Sequence, residues 1–440
     1  MSITRDTLAK LLTNLGSKKE VEQYLKQYCS VDEQRFALIK VGGSALDQQL
    51  DTVGSAIAFL QQVGLTPIIV HGAAAHVDRA LADAGVPTPR LDDVRCISPD
   101  AFDIVRRVLQ RENLALVDAL AANGCDARPI VGEVFEVEPI NLERYGLRGR
   151  VTGVDDTSVL AAIRAGKLPV VTCLGATRHG QLLSISSDEA ASALALRFEP
   201  HKIIFLTSTG GLFNEEQQVI SAINLTEDYD RLMAQPWVSG GMRRKLAHIH
   251  ELLEKLPHTT VSITAPDKLA RELFTHRGAG TLVSRGERVN SFSRFEDLER
   301  EKLQQLLESC FGRRLTPGYF EKKKCHRVYA TEDYRGAAIL TSEAGLVYLD
   351  KFAVTQKAQG EGLGGSVWQC MRRDNPKVFW RSQTVNPVNA WYFQQSDGSY
   401  RTPKWTVFWC GMDGFDEITR CVHTALEMPA SLKDHGVEGD

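Results

Sequence analysis

Several things are missing from this chain of 440 residues, and each absence narrows what it can be. No apolar run approaches the roughly 20 residues of a membrane-spanning helix, and the first residues lack a signal peptide's apolar core. Neither sign of charge dominates: the formal net charge is −3 with 24 % charged residues, so no basic field awaits nucleic acid and no membrane partner is expected. The nine cysteines, Cys29, Cys96, Cys125, Cys173, Cys310, Cys325, Cys370, Cys410 and Cys421, are odd in number and include no C-x-x-C pair. Reduced thiols in a reducing compartment follow, with neither a disulfide framework nor a metal site, and the cytoplasm is the expected location. A single compact core cannot serve this length, so two or three domains are expected.

What is present centres on Leu349 to Met371, LDKFAVTQKAQGEGLGGSVWQCM. Leu349 to Val354 has the content of a short strand, and Gly365 to Arg373 reads as a helix. Between them, Gln359-Gly360-Glu361-Gly362-Leu363-Gly364 permits a tight turn whose N–H groups face the positive end of the following helix, an anion cradle. A Walker loop would need Lys-Ser/Thr after its last glycine, whereas Ser366-Val367 follows Gly365. Gly360, Gly362 and Gly365 satisfy Gly-x-Gly-x-x-Gly, but no acidic residue stands about 20 positions on to hold a ribose. Gln359-x-x-Gly362-x-Gly364 also resembles the pyrophosphate loop of GNAT-type acetyltransferases; on this loop alone a dinucleotide turn and a plain structural turn stay open.

Residues 4 to 28 carry Leu8, Leu11, Leu12 and Leu15, then Val21, Tyr24 and Leu25, at helical spacing, which predicts two short amphipathic helices over 1–30. Their apolar faces either meet a neighbouring domain or subunit or fold back on their own domain. From Arg35 to about Val283, buried strands (Phe36 to Val41, Pro67 to His71, Leu168 to Cys173, Lys202 to Thr207, Thr260 to Ile263) alternate with amphipathic segments. That alternation predicts an α/β domain with a largely parallel sheet over 31–285, its ligand at the carboxyl ends of the strands. Lys40-Val41-Gly42-Gly43-Ser44 and His71-Gly72-Ala73-Ala74-Ala75 end two strands, Asp188 precedes a helix over Glu189 to Phe198, and Ser239-Gly240-Gly241-Met242-Arg243-Arg244-Lys245 opens another. Two lysines, a carboxylate and glycine turns at strand ends suit phosphoryl transfer, which rests on charge neutralisation.

These residues resemble the amino-acid kinase family, specifically acetylglutamate kinase, over about residues 30 to 285. The resemblance rests on KVGGS, the HG turn, Arg95 before Ser98-Pro99, Asp188, LTSTGGLF, WVSGGMRRK and ELFTHRGAGTLV. It implies that Lys40 and Lys245 stabilise the moving phosphoryl group and Asp188 organises both, beside Gly42, Gly43, Gly72 and Arg95. Three turns depart from the family. The glycines expected after His71 are Ala73-Ala74-Ala75, Asn-x-Asn-Ala-Asp has become Ser184-Ile185-Ser186-Ser187-Asp188, and Gly-Leu-Arg-Val-Thr has become Asp93-Val94-Arg95-Cys96-Ile97. Added methyl groups, lost amides and an extra acid predict weak or absent kinase turnover, with ATP and Mg2+ bound only by a working kinase half. In relatives, arginine sits between the segment matching Glu272 to Thr281 and the N-terminal helices. The resemblance therefore implies arginine as an allosteric ligand at Tyr24, Glu272, Gly278 and Gly280, against the reading that Gly278-Ala279-Gly280 only turns the chain.

The charged stretch 285–301 marks a junction, and five of the six tryptophans (Trp368, Trp380, Trp391, Trp405, Trp409) fall in the last 75 residues. A second α/β domain over 286–440 with an aromatic core follows. YLDKFAV, QGEGLG, FWRS, NPVNAWYF, SDGS and KWTVFW closely resemble the acetyltransferase half of the N-acetylglutamate synthase family, whose members join it to an acetylglutamate kinase domain. The resemblance implies transfer of acetyl from acetyl-CoA to L-glutamate in arginine biosynthesis, or acetylation followed by phosphorylation in a bifunctional enzyme. A silent regulatory subunit is a third reading, which the Gln359 to Gly364 loop and Tyr392 oppose. The resemblance to the synthase family assigns acetyl-CoA to Gln359, Gly360, Gly362, Gly364 and the strand N–H groups near Phe352 and Val354. Lys351, Arg381 and Asn389 fall to glutamate, with Gln383 where relatives carry a second arginine, and Tyr392 to the departing thiolate, held by Asn386. Homotetramers are expected, with the N-terminal helices as a contact.

Overall fold

The computed structural model describes residues 21, 24, 36–91, 94–275, 278–356, 358 and 362–433. Most of the expected N-terminal helices, Asp93, Gln359, Gly360 and Glu361 lie outside these. The chain divides into two compact units, residues 1–221 with 235–284, and 222–234 with 285–440. The division expected from the sequence was contiguous and did not foresee the excursion of 222–234.

In the first unit β1 (Ala37–Val41) leads through α1 (Gly43–Gln62) to β2 (Ile68–His71) and α2 (Ala74–Asp83). A two-residue ribbon, β3 (Arg90–Leu91) and β4 (Val94–Arg95), precedes α3 (Pro99–Ala122), which is capped by the Ser98 hydroxyl accepting from Ala101 N. Then come β5 (Ala127–Ile130), β6 (Phe135–Pro139), β7 (Gly149–Val154), β8 (Leu168–Thr172), β9 (Leu174–Ala176), β10 (Leu182–Ser184), α4 (Ser187–Phe198) and β11 (Lys202–Leu206). The chain leaves for β12 (Ala222–Asn224) and α5 (Leu225–Met233) of the other unit, and returns for α6 (Gly240–Lys255), β13 (Thr260–Thr264), α7 (Leu269–Phe274) and β14 (Thr281–Ser284).

Strands in the order β14-β13-β11-β1-β2-β8-β5 pair in parallel except for β13 with β14. β1, β8, β11 and β13 are almost wholly buried, as strands covered on both faces must be. A second sheet runs β10-β9-β6-β7. Val21 and Tyr24 are buried in the core with Leu269, Leu273 and Phe274 of α7, so this part of the N-terminal segment folds back on its own unit.

In the second unit β15 (Val289–Phe292), α8 (Arg300–Phe311) and β16 (Arg314–Leu315) precede β17 (Cys325–Thr331), β18 (Gly336–Glu343) and β19 (Leu346–Val354). α9 (Leu363–Asp374), β20 (Val378–Gln383), α10 (Asn389–Gln395), β21 (Gly398–Arg401), β22 (Trp405–Cys410), α11 (Phe415–Glu427) and β23 (Leu432–Lys433) follow. The sheet order is β15-β17-β18-β19-β20-β22-β21. One face carries the expected aromatic core: Trp368, Trp380, Tyr392 and Phe408, with Phe352 and Trp391 at its margin. The excursion is tied down by hydrogen bonds from Thr226 N to Arg285 O (3.0 Å), Asn224 Nδ2 to Glu287 O (2.9 Å) and Val289 N to the Glu227 carboxylate (3.1 Å). Such ties come from tertiary contacts that no local pattern announces.

Among the described residues all eight cysteines are free, no helix is long and apolar enough to cross a membrane, and no cluster of ligating side chains could hold a metal ion.

Candidate functional site

Two groups of residues converge, one in each unit. In the first, the carboxyl ends of β1, β2 and β11 draw their turns together: Gly42 N donates to Leu206 O and Gly72 N to Val41 O, both at 3.0 Å. A Cβ on Gly43 would stand 2.8 Å from Ala74 N, and one on Gly72 would stand 3.0 Å from the Ser187 hydroxyl, so glycine is required where the turns touch. Ala73 is buried, and its chain passes behind Gly43. Gly42 and Ala73 offer no side-chain cap to α1 and α2, which leaves helix N–H groups available to an anion.

Beside those turns the Lys40 ammonium donates to the Asp188 carboxylate at 2.8 Å. Burial alone would raise the Asp188 carboxyl, but Lys40, His248 and Lys245 outweigh it and hold it below its usual range. Lys245 is pushed down by burial and by Lys40, with Asp188 opposing. One ammonium is thus bonded to the carboxylate and a second acts on it electrostatically, an arrangement that can receive a phosphoryl group's negative charge. His71, wholly buried, has Nε2 3.0 Å from Asn113 Nδ2, and burial lowers it to about 4, so it is neutral. Arg95 pairs with Asp78 at 2.5 Å. Sequence reasoning missed Arg148, which donates to the Ser184 hydroxyl at 3.3 Å. The only signal for it was its place before the Gly149-Arg150-Val151 strand.

The proposed guanidinium partner Glu272 is otherwise employed. It is buried and accepts from Ser262 Oγ (2.8 Å), Ala279 N (2.7 Å) and Gly280 N (3.0 Å). Gly278 has φ 63°, and a Cβ there would strike the same carboxylate at 2.8 Å. The carboxylate closes the turn, as the structural reading of Gly278-Ala279-Gly280 supposed, and Tyr24 lies in the adjoining core.

In the second unit β19 and β20 are parallel, with a single paired position, Tyr348 with Phe379; beyond it the strands separate. A bulge against β18 between Ile339 and Leu340 leaves Asp350 as the extra residue of β19 and turns the strand there. At the mouth of this split Gly362, at φ 82°, begins α9 with no side-chain cap, and a Cβ on Gly364 would meet Val354 Cγ2 at 3.3 Å. Three buried polar atoms on β20 and α10, Trp380 Nε1, Ser382 Oγ and Asn389 Oδ1, have no hydrogen-bond partner among the described residues. Native interiors seldom leave such atoms unsatisfied, so they mark a place for a polar ligand. Tyr392 packs among Trp368, Trp380, Trp391 and Phe408 at centroid distances of 5.3 to 6.0 Å, and burial raises its phenol.

The expected constellation is not all on one face. Trp380, Tyr392 and Phe352 belong to the aromatic side and Ser382 shares the strand face of Trp380, whereas Arg381 alternates to the other. Its guanidinium donates to Ala425 O (2.7 Å), Leu426 O (3.3 Å) and Pro429 O (3.2 Å), and lies 4.2 Å from the Trp405 ring centroid. Arg381 therefore caps α11 and does not offer a free fork to a carboxylate. Lys351, buried, donates to Asp350 Oδ2 (2.6 Å) and Ser431 Oγ (2.5 Å). Asp350 also receives Tyr319 OH (2.7 Å) and pairs with Lys323 (2.8 Å); burial would raise it, but the two lysines hold it at about 2. Asn386 is exposed, and its Oδ1 accepts from Val388 N at 3.2 Å, a local cap rather than a grip on Tyr392.

A parallel sheet with a lysine–aspartate–lysine centre, followed by a sheet split between two parallel strands, defines a transferase class built from a phosphoryl-type and an acyl-type domain. Residues 35–263 match the amino acid kinase family, and residues 287–428 match NAT, the N-acetyltransferase of N-acetylglutamate synthase. The chain belongs to the amino acid kinase family, in the group that joins that domain to this N-acetyltransferase. The acetylglutamate kinase of Xanthomonas campestris pv. campestris is 48% identical over 425 residues, 95% of this chain and 100% of that protein. The mitochondrial N-acetylglutamate synthase of Homo sapiens is 32% identical over 441 residues, 98% of this chain and 79% of that one. The N-acetylglutamate synthase of Neisseria gonorrhoeae shares the fold. Its complex with coenzyme A and N-acetyl-glutamate has a TM-score of 0.59 at 17% identity, covering 90% of this chain and 98% of that one; a complex with coenzyme A and L-arginine gives 0.57.

Proposed function

We propose that the chain is an N-acetylglutamate synthase, moving acetyl from acetyl-CoA to the amino nitrogen of L-glutamate. The observation that carries this is the separation of β19 from β20 beyond Tyr348, beside the uncapped start of α9. An extended chain bearing amides, as coenzyme A has, can pair with a free strand edge in that gap, as peptides do in strand addition. Its pyrophosphate then meets the helix N-terminus, with Gln359, Gly360, Gly362 and Gly364 as the cradle. Strand N–H groups near Phe352 and Val354 face the thioester oxygen and receive the charge that develops there.

In the reaction water takes one proton from the glutamate ammonium, the neutral amine attacks the thioester carbon, the C–N bond forms, the C–S bond breaks, and the proton released by the new amide nitrogen returns through water to the Tyr392 phenolate. Tyr392, raised by burial, is protonated at neutral pH and donates to the departing thiolate. Asn389 Oδ1 accepts from the substrate, and Lys351 exchanges Ser431 for a glutamate carboxylate. The relatives' names support glutamate as acceptor, and the arginine complex of the Neisseria protein supports arginine as regulator, acting through Tyr24 and the Glu272 turn. A homotetramer in the cytoplasm completes the reading.

A second reading is favoured by the Lys40–Asp188 pair with Lys245 beside it and by relatives named acetylglutamate kinase: the first unit also phosphorylates N-acetylglutamate with ATP and Mg2+. Quantifying acetylglutamate and acetylglutamyl phosphate by mass spectrometry from one purified sample tests both. Absence of acetylglutamate from acetyl-CoA and glutamate defeats the first reading, and absence of the phosphate defeats the second.

A further inference from the structure

We propose that His248 is a positioning residue for Lys245: its hydrogen bond with Ser192 fixes α6 on α4 at the register that sets the Lys245 ammonium against Asp188. It rests on the reading that the first unit carries out phosphoryl transfer.

Lys245 stands where much of its surroundings opposes its charge. Burial and Lys40 both act against the ammonium, with Asp188 acting for it, and Asp188 is already bonded to Lys40 at 2.8 Å. A cation so placed gains by moving out to water, so the helix that carries it needs a tie independent of that charge. The start of α6 does not supply one. Ser239 gives no side-chain cap, and a Cβ on Gly240 or Gly241 would meet nothing within 4 Å. Farther along, Leu246, Ile249, Leu252 and Leu253 are buried. Apolar burial holds a helix to its neighbours but is non-directional, so it resists a small slide only weakly.

The tie lies one turn behind the charged groups. Ser192 follows Asp188 by one turn of α4, and His248 follows Lys245 by one turn of α6, so each shares a helix face with the charged residue before it. Ser192 Oγ and His248 Nε2 share a hydrogen bond of 2.7 Å, and both residues are half-buried. Asp188 feels the charge of His248 as well as that of Lys245, so the imidazole belongs to the same quarter of the site. Unlike apolar contact, a hydrogen bond fixes both a distance and an angle. This one therefore sets how far along α4 the helix α6 sits, and with it the place of Lys245. His248 and Ser192 act through the lysine and not on the reacting atoms.

The test uses the full chain with S192A, H248A, H248Q and the combined S192A/H248A variant, each checked for folding by thermal melting. Exposure of Lys245 is read by brief acetic anhydride labelling and peptide mass spectrometry, and ATP-dependent acetylglutamyl phosphate is trapped with hydroxylamine. Since a misplacement of about 1 Å costs on the order of 100-fold in rate, kcat is expected to fall about 10- to 100-fold in S192A and in H248A, with the KM values for ATP and N-acetylglutamate within about threefold. The combined variant falls no further than either single one, because the same bond is lost in all three. H248Q, whose amide can still meet Ser192, recovers most of the rate, and Lys245 labelling rises severalfold in the alanine variants but not in H248Q. Unaltered labelling and kcat in H248A overturn the proposal, as do losses that add in the combined variant. A rise of about tenfold in the KM for ATP at constant kcat also overturns it, since His248 then meets the nucleotide itself. Absence of acetylglutamyl phosphate from the unsubstituted chain removes the underlying reading and with it any role of the tie in turnover, even where labelling shows that the tie holds Lys245.

Discussion

Replacing Arg381 separates structure from substrate binding in the acetyl-transfer unit. Its guanidinium donates to three carbonyls at the end of α11 and stacks on Trp405. A hydrogen bond to a charged group contributes about 1.5 kcal/mol or more when protected, and a cation–π contact about 0.5 to 1 kcal/mol at exposed sites. Because the side chain is only partly buried, water replaces much of this, and the net cost of Arg381→Ala is about 2 to 3 kcal/mol. For a unit of this size each kcal/mol moves the melting point by roughly 2 to 4 °C, so a drop of about 5 to 10 °C is expected. Tryptophan fluorescence follows that melt, since five of the six tryptophans lie in this unit. Arg381→Lys keeps the charge but loses the fork, and falls between. The KM for glutamate in the folded variant stays within about twofold. An undiminished melting point together with a tenfold rise in that KM would refute the capping role and return Arg381 to the substrate.

Three further outcomes follow from the same geometry. Glu272→Gln removes the charge that Ala279 N, Gly280 N and Ser262 Oγ share, and should lower the urea midpoint of the first unit by an amount equivalent to about 2 to 4 kcal/mol; a midpoint unchanged from the parent would show the turn does not need it. Asp350 is held at about 2, below its unfolded value near 4, so its stabilisation is present above pH ~4 and lost as pH falls toward 2. Urea midpoints at pH 7, 4 and 3 should therefore decline by about 1 kcal/mol more in the parent than in Asp350→Asn, which starts lower; equal declines would remove Asp350 as the cause. Tyr392→Phe should cut turnover by about 10- to 100-fold with the KM for acetyl-CoA nearly unaltered, and a full rate in steady-state assays would reduce the tyrosine to a core residue.

Local patterns in the chain were enough to draw the strands and the glycine turns. Leu168–Thr172 is buried at every position and Lys202–Leu206 likewise, so continuous apolar runs disclosed parallel strands. The Lys40–Asp188 bond spans 148 residues of sequence, yet the family resemblance had already paired the two. The glycine spacing at 362 and 364 announced a helix start open to an anion.

What tertiary structure alone decided is where side chains point and what satisfies them. One extra residue at Asp350 bends β19, and the alternation of β20 sends Arg381 away from Tyr392, though the two looked alike as polar groups near a cleft. Glu272 seemed an open carboxylate until its own turn closed on it, and His248 gained meaning only when α6 brought it against Ser192. Periodicity is written in neighbours along the chain and can be read there. Hydrogen-bond partners and uncompensated charge arise between residues brought together by folding, and only the folded chain displays them.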